Sequence, residues 1–275
     1  MSPGDIVSTI VNEFPYALYG SMLVGVAAAF LGVFIVARRV VFFGAVLTQV
    51  SVLGLTATFL PFFALPHTVG SLVVTLFAVV ILSQLLTGKD VPRDAILGVV
   101  FVIAIAARIL IMQKAPKVEA AEVESLLRGD ILFVTPDLFW LMAGAFVVAM
   151  LLHGLFAKEF TFINFDAETA RTQGYNAGMW NLIFYLNAGM IIAFATHMVG
   201  DLFVFGFLVV PPVAASLLAK RVRTIFAVSV LIGLISPPIG LFFAFLWDFP
   251  ASPTIVGVAS VILLGAYLVR LVRRR

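Results

Sequence analysis

The chain has no cysteine among its 275 residues. That excludes disulfides, thiolate metal sites and cysteine nucleophiles. Charge is also scarce, with Asp, Glu, Lys and Arg making up 11% of the residues against about a quarter in an ordinary soluble domain. The first twelve residues contain Asp5 but neither Lys nor Arg, so the basic n-region of a cleavable signal peptide is missing. The first apolar stretch is therefore expected to be retained. Gly88-Lys89 stands without a preceding glycine-rich loop, so the chain has no phosphate-binding motif and is not expected to hydrolyse ATP or act as an enzyme by itself.

Apolar residues fill the space left by these absences. They make up 63% of the sequence and fall into blocks of about 20 residues, the length a helix needs to cross a hydrocarbon core. Such spans are expected at 16–37, 44–63, 67–87, 94–112, 137–156, 179–197, 202–219, 224–247 and 253–269. The fold class is thus all-α: a polytopic membrane bundle of about nine transmembrane helices in a single transmembrane domain covering 1–275. Thr48, Gln49, Ser51 and Pro61 interrupt the second block, and Pro211, Pro212, Pro237 and Pro238 are expected to kink or break the later helices.

The net charge is only +3, and the basic residues lie scattered between apolar blocks, which does not make a nucleic-acid-binding face. Their distribution sets an orientation instead. With the N-terminus outside and the C-terminus cytoplasmic, thirteen of the 17 Lys and Arg residues fall on the inner side, among them Arg38, Arg39, Arg93 and Arg270. Lys114, Lys117 and Arg128 fall outside, and Arg108 lies within a span. The positive-inside bias supports that orientation in the cell (inner) membrane.

Two polar stretches survive. The outer one, 113–136, carries Glu119, Glu122, Glu124 and Asp130 among leucines and isoleucines. It reads either as an amphipathic segment lying on the surface or as a solvated connector. The inner one, 158–178, contains Asp166 as a helix cap, then Glu168, Thr169, Ala170 and Arg171, with Gly174 to end the helix. A helix of about two turns does not hold itself in water without packing partners. It suits docking into another protein, the rival reading being a simple connector.

At this point several segments resemble a known family: GVFIVARRVVFFGAVLTQVSVLG (32–54), RDAILGVVF (93–101), LLRGDILFV (126–134), FINFDAETARTQGYN (162–176) and VGDLFVFGFLVVPPVAASLLA (199–219). In this order and spacing they are similar to the integral-membrane permeases of ATP-binding-cassette importers for manganese, zinc and iron. The resemblance implies a homodimeric or heterodimeric permease, the homodimer being the simpler case, with two separate ATPase subunits beneath it and an extracytoplasmic solute-binding protein above. It implies that Asp166, Glu168, Ala170, Arg171 and Gly174 belong to the helix that couples to the ATPase. It also implies that this chain binds no cofactor, ATP being used by the partner subunits.

One departure stands out. Where the family reads Gly-Asp-Ala-Leu-Ser-His, with the acid and the imidazole facing the path, this chain reads Gly44-Ala45-Val46-Leu47-Thr48-Gln49. Ala45 offers a cation nothing, and Gln49 offers one amide oxygen. The family's metal ligands therefore do not carry over. Thr48 and Gln49 remain candidates for lining the path, with hydrogen bonding between helices as the rival role for Gln49.

His197 and Asp201 lie four apart and would share a face on a continuous helix, but Gly200 between them favours capping or interfacial roles. His153 reads as a hydrogen-bonded packing residue, His67 as interfacial, and Arg108 as a side chain snorkelling outward. The expected function is that of a permease subunit of an ATP-driven importer for a divalent metal ion or a metal-related solute, working by alternating access. The alternatives are a regulatory or scaffold subunit and an ATP-independent secondary transporter. The latter would need intramembrane acids, whereas Asp94, Asp137, Asp201 and Asp248 all lie near span ends.

Overall fold

A computed structural model describes residues 2–60, 63, 65–86, 91–114, 131–165 and 173–273. Among these every regular element is helical: α1 Pro3–Asn12, α2 Pro15–Ala37, α3 Val41–Ala57, α4 His67–Leu85, α5 Arg93–Met112, a 3-10 turn Ile131–Phe133, α6 Pro136–Leu155, α7 Ala157–Phe165, α8 Ala177–Val199, α9 Asp201–Leu218, α10 Val222–Trp247 and α11 Ala251–Arg273. Eight of them, α2, α4, α5, α6 and α8 to α11, are long and apolar enough to cross a membrane.

The second expected block forms α3, which stops at Ala57 instead of reaching residue 63. At 17 residues it measures about 25 Å, short of a ~30 Å core. Its end is chemically fixed: the Thr58 hydroxyl bonds back to the Leu55 carbonyl and also pairs with His67 Nδ1. Most of α3 is buried, so it serves as a core helix with α4 and α5 packed on it.

By contacts the chain divides into two compact units. One contains α1, α2 up to Val36, the 3-10 turn, the first turn of α6, and α9 to α11. Here the tandem prolines do not end their helices: α9 runs through Pro211 and Pro212, and α10 through Pro237 and Pro238. Each proline lacks the N–H that would bond to the carbonyl four residues back. Pro212 thereby frees Leu208 C=O, and Pro237 frees Gly233 C=O. Helix α2 presents Gly32 to the first of these carbonyls and Gly25 to the second, so closely that a methyl group at either glycine would overlap the oxygen. The two glycines are seven apart and share a face. The freed carbonyls thus meet glycine Cα–H groups where lipid would give them nothing. Ser229 Oγ adds a bond to the Ala29 carbonyl at 2.9 Å.

Helix α1 packs on α10, and its Ile6 and Ile10 are buried. A capping box starts it: the Asp5 amide donates to Ser2 Oγ at 3.2 Å, and the Ser2 amide donates to Asp5 Oδ2 at 2.9 Å.

The other unit contains residue 37 onward through α3, α4 and α5, the rest of α6, α7, and α8 up to His197. Small residues set its helix spacing. Gly54 lies against Ser71 Cα and the Gly70 carbonyl, while Ser51 Oγ and Ser71 Oγ are 2.7 Å apart.

Candidate functional site

The expected path residues on α3 are held by local and inter-helix bonds. Ala45 and Thr48 are buried, and Thr48 Oγ1 donates to the Ala45 carbonyl at 2.9 Å. Gln49 is half-buried, and its Oε1 accepts from Arg108 Nη1 at 3.1 Å. Arg108 lies about one turn from the end of α5 and bonds to α3, which corrects the expected outward snorkelling. A guanidinium is attracted to the amide oxygen, the one acceptor in the Gln49 side chain. That oxygen, which a cation would need, already accepts a charged donor. The pair is a hydrogen bond between α3 and α5. Among the described residues no group of three or more His, Asp or Glu is placed to hold a metal ion.

Gly200 adopts φ 86 between α8 and α9, so His197 and Asp201 belong to different helices and share no helical face. Asp201 Oδ1 accepts from the Leu202 amide at 2.7 Å, at the start of α9. His197 Nδ1 is buried with no hydrogen-bond partner among the described residues. Ser252 Oγ bonds to the Val199 carbonyl at 2.9 Å and anchors the chain at this break. His153 is buried, its Nδ1 bonded to the Ala149 carbonyl and its ring 4.8 Å from that of Phe160. It is a packing residue, as expected.

Of the expected coupling residues, Asp166, Glu168, Ala170 and Arg171 lie outside the described residues, as does most of the 113–136 segment. Gly174 is described, with φ 87 and nothing within 4 Å of the position a Cβ would take. Helix α7 precedes the segment, and Asn176 Oδ1 accepts from the Met179 amide at 3.1 Å, capping α8 after it. Arg38, not singled out by its sequence, packs on the first turns of α8: its guanidinium lies 3.9 Å from the centroid of the Phe184 ring and donates to Asn181 Oδ1 at 3.0 Å. The sequence signal for it is the arginine pair that closes an apolar span.

A model of the ABC 3 transport family matches residues 12–270, nearly the whole chain. The chain belongs to the ABC 3 transport family. Its relatives there include the manganese transport system membrane protein MntD of Bacillus subtilis (strain 168), 29% identical over 265 residues, covering 90% of this chain and 88% of that protein. The high-affinity zinc uptake system membrane protein ZnuB of Buchnera aphidicola (subsp. Schizaphis graminum) is 26% identical over 260 residues, covering 93% and 98%. The solved structure of PsaBC from Streptococcus pneumoniae in complex with Fab superposes with a TM-score of 0.84 at 21% identity, covering 96% of this chain and 95% of that chain. That likeness shows a shared fold. As a member of the ABC 3 transport family, the chain is a multi-pass membrane protein of the metal-importer permease type.

Proposed function

We propose that this chain is the membrane-spanning subunit of an ATP-driven importer for a divalent metal ion or a metal-related solute, with its N-terminus outside and its C-terminus in the cytoplasm. The observation that carries the reading is the family match across residues 12–270. Separate ATPase subunits bind and hydrolyse ATP, and residues 166–174 dock on them from the cytoplasmic side. A second permease copy completes the path, and an extracytoplasmic solute-binding protein delivers the cargo. Thr48, Gln49, His197 and Asp201 are the proposed path residues.

The Gln49–Arg108 pair favours a second reading. A path with Ala45 and an already engaged Gln49 suits a chain that carries its metal in complexed form, or one that serves as a regulatory partner of another permease.

One experiment separates these readings. The tagged chain is purified from its native membrane with whatever binds it, then reconstituted in vesicles and given Mn2+ or Zn2+ with and without ATP. ATP-dependent accumulation that is lost on Gly174→Trp supports the importer. Recovery without an ATPase subunit contradicts it, and an ATPase-bound complex that accumulates neither ion supports the second reading.

A further inference from the structure

Arg38 closes a corner. Helix α2 ends at Ala37, Arg39 turns the chain with a left-handed φ of 57, and α3 begins at Val41. A non-glycine residue keeps that conformation only where its surroundings impose it. The result is that Arg38 and Arg39 point to different uses. Arg39 is exposed, whereas Arg38 lies half-buried against α8.

The grip on α8 has three parts. The guanidinium of Arg38 covers the Phe184 ring at 3.9 Å, lies 5.3 Å from the centroid of Tyr185, and donates to Asn181 Oδ1 at 3.0 Å. Asn181, Phe184 and Tyr185 follow the i, i+3, i+4 spacing of one helical face. Two residues into α3, Phe43 packs its ring on Tyr185 at 4.6 Å, so the same face is held again. From α7, Phe160 meets Trp180 at 5.8 Å, and the buried Ile163 packs with Trp180. The opening turns of α8 are therefore fixed to the α3 corner and to α7 at once. Residues 166–176 join α7 to α8.

We propose that Arg38 is a positioning residue that transmits movement of the 166–174 segment from the start of α8 to the start of α3. This rests on the coupling role proposed for that segment. A planar guanidinium stacked on a ring and bonded at its edge resists both sliding and separation. Lysine, a point charge on a flexible stem, supplies neither. Beyond the corner, α3 is a buried helix bonded to α4 through Ser51 and Ser71, so displacement at residues 41–43 is carried along it to Thr48 and Gln49.

The test uses the full chain assembled with its ATPase and permease partners in vesicles. The chain has no cysteine, so Phe42→Cys and Met179→Cys, both at exposed positions, carry the only spin labels on it. With Arg38 present, the separation of the two labels is expected to be the same with and without ATP. In Arg38→Ala and Arg38→Lys it is expected to change with nucleotide, while Mn2+ uptake per ATP hydrolysed falls about tenfold. Phe184→Leu, which keeps the charge and removes the ring, is expected to reproduce both effects and guards against a fold lost at residue 38.

An Arg38→Ala complex that assembles with wild-type uptake per ATP and a constant separation overturns the proposal. So does a separation that already changes with nucleotide in the wild type, or full rescue by lysine. A wild-type chain that binds no ATPase defeats the proposed function itself, and this inference with it. That result is read before any variant is made.

Discussion

Gly25 and Gly32 sit where Pro237 and Pro212 leave backbone carbonyls without an intrahelical donor. Their value lies in what they lack. Gly25→Ala and Gly32→Ala each place a methyl group on a backbone oxygen that cannot rotate away, and each is expected to destabilise the protein by about 1–3 kcal/mol. Gly98→Ala, with nothing within 4 Å of its Cβ position, is expected to stay within about 0.5 kcal/mol. Thermal unfolding in detergent, run on all three, checks the contrast.

At Gln49 the consequence is chemical. Restoring the family's acid and imidazole through Ala45→Asp and Gln49→His leaves the Arg108 guanidinium beside the new site. A unit charge about 6 Å from a divalent ion repels it by several kcal/mol at an effective dielectric of about 20. Adding Arg108→Gln to that pair is therefore expected to tighten Mn2+ binding by at least about tenfold, measured by titration calorimetry. Equal affinities with and without Arg108→Gln would show that the guanidinium does not reach the site.

Among the elements, lipid made the long helices legible. A hydrocarbon core imposes both a length and an apolar composition, and the expected 16–37, 67–87 and 94–112 blocks appear as α2, α4 and α5 with ends shifted by at most two residues. Elements that answer to neither demand were harder to read. Helix α3 stops early because Thr58 bonds to Leu55 and His67, contacts made only after folding. Helix α7 begins one residue before the inner polar stretch, 158–178, and otherwise lies within it. The Arg38 and Arg108 contacts join residues 143 and 59 positions apart, a separation no local pattern reveals.

Helix α1 did carry a signal, the Ser2-Pro3 start with Asp5 at the third helical position. Its hydrogen bonds with Ser2, side chain first and backbone amide second, hold the Asp5 carboxyl below its ordinary value. A lowered value means that the cap's contribution is complete above the unfolded carboxylate pKa of about 3.9 and is lost as pH falls through the lower folded value. Protection of the α1 amides, the intrinsic exchange rate divided by the observed rate at the same pH, is expected to fall over that interval in the wild type. In Asp5→Asn it is expected to be lower already at neutral pH, with no further fall across the interval.

For the whole molecule, the composition alone placed the chain in a bilayer, and the family match over residues 12–270 gives that placement a purpose. Cargo is less legible: at the two positions where the resemblance would place its ligands, the chain has Ala45 and Gln49. The proposed function has a direction: it puts the basic residues and the short polar segment 158–178 on the cytoplasmic side, where a separate ATPase would act. The absence of native cysteine makes this directly measurable, since Arg171→Cys is then the only thiol in the chain. A membrane-impermeant maleimide is applied to intact cells and to inverted vesicles. Labelling is expected only in the inverted vesicles, and only after the ATPase subunits have been stripped away. Labelling of residue 171 from outside intact cells would contradict the orientation and the proposed drive together.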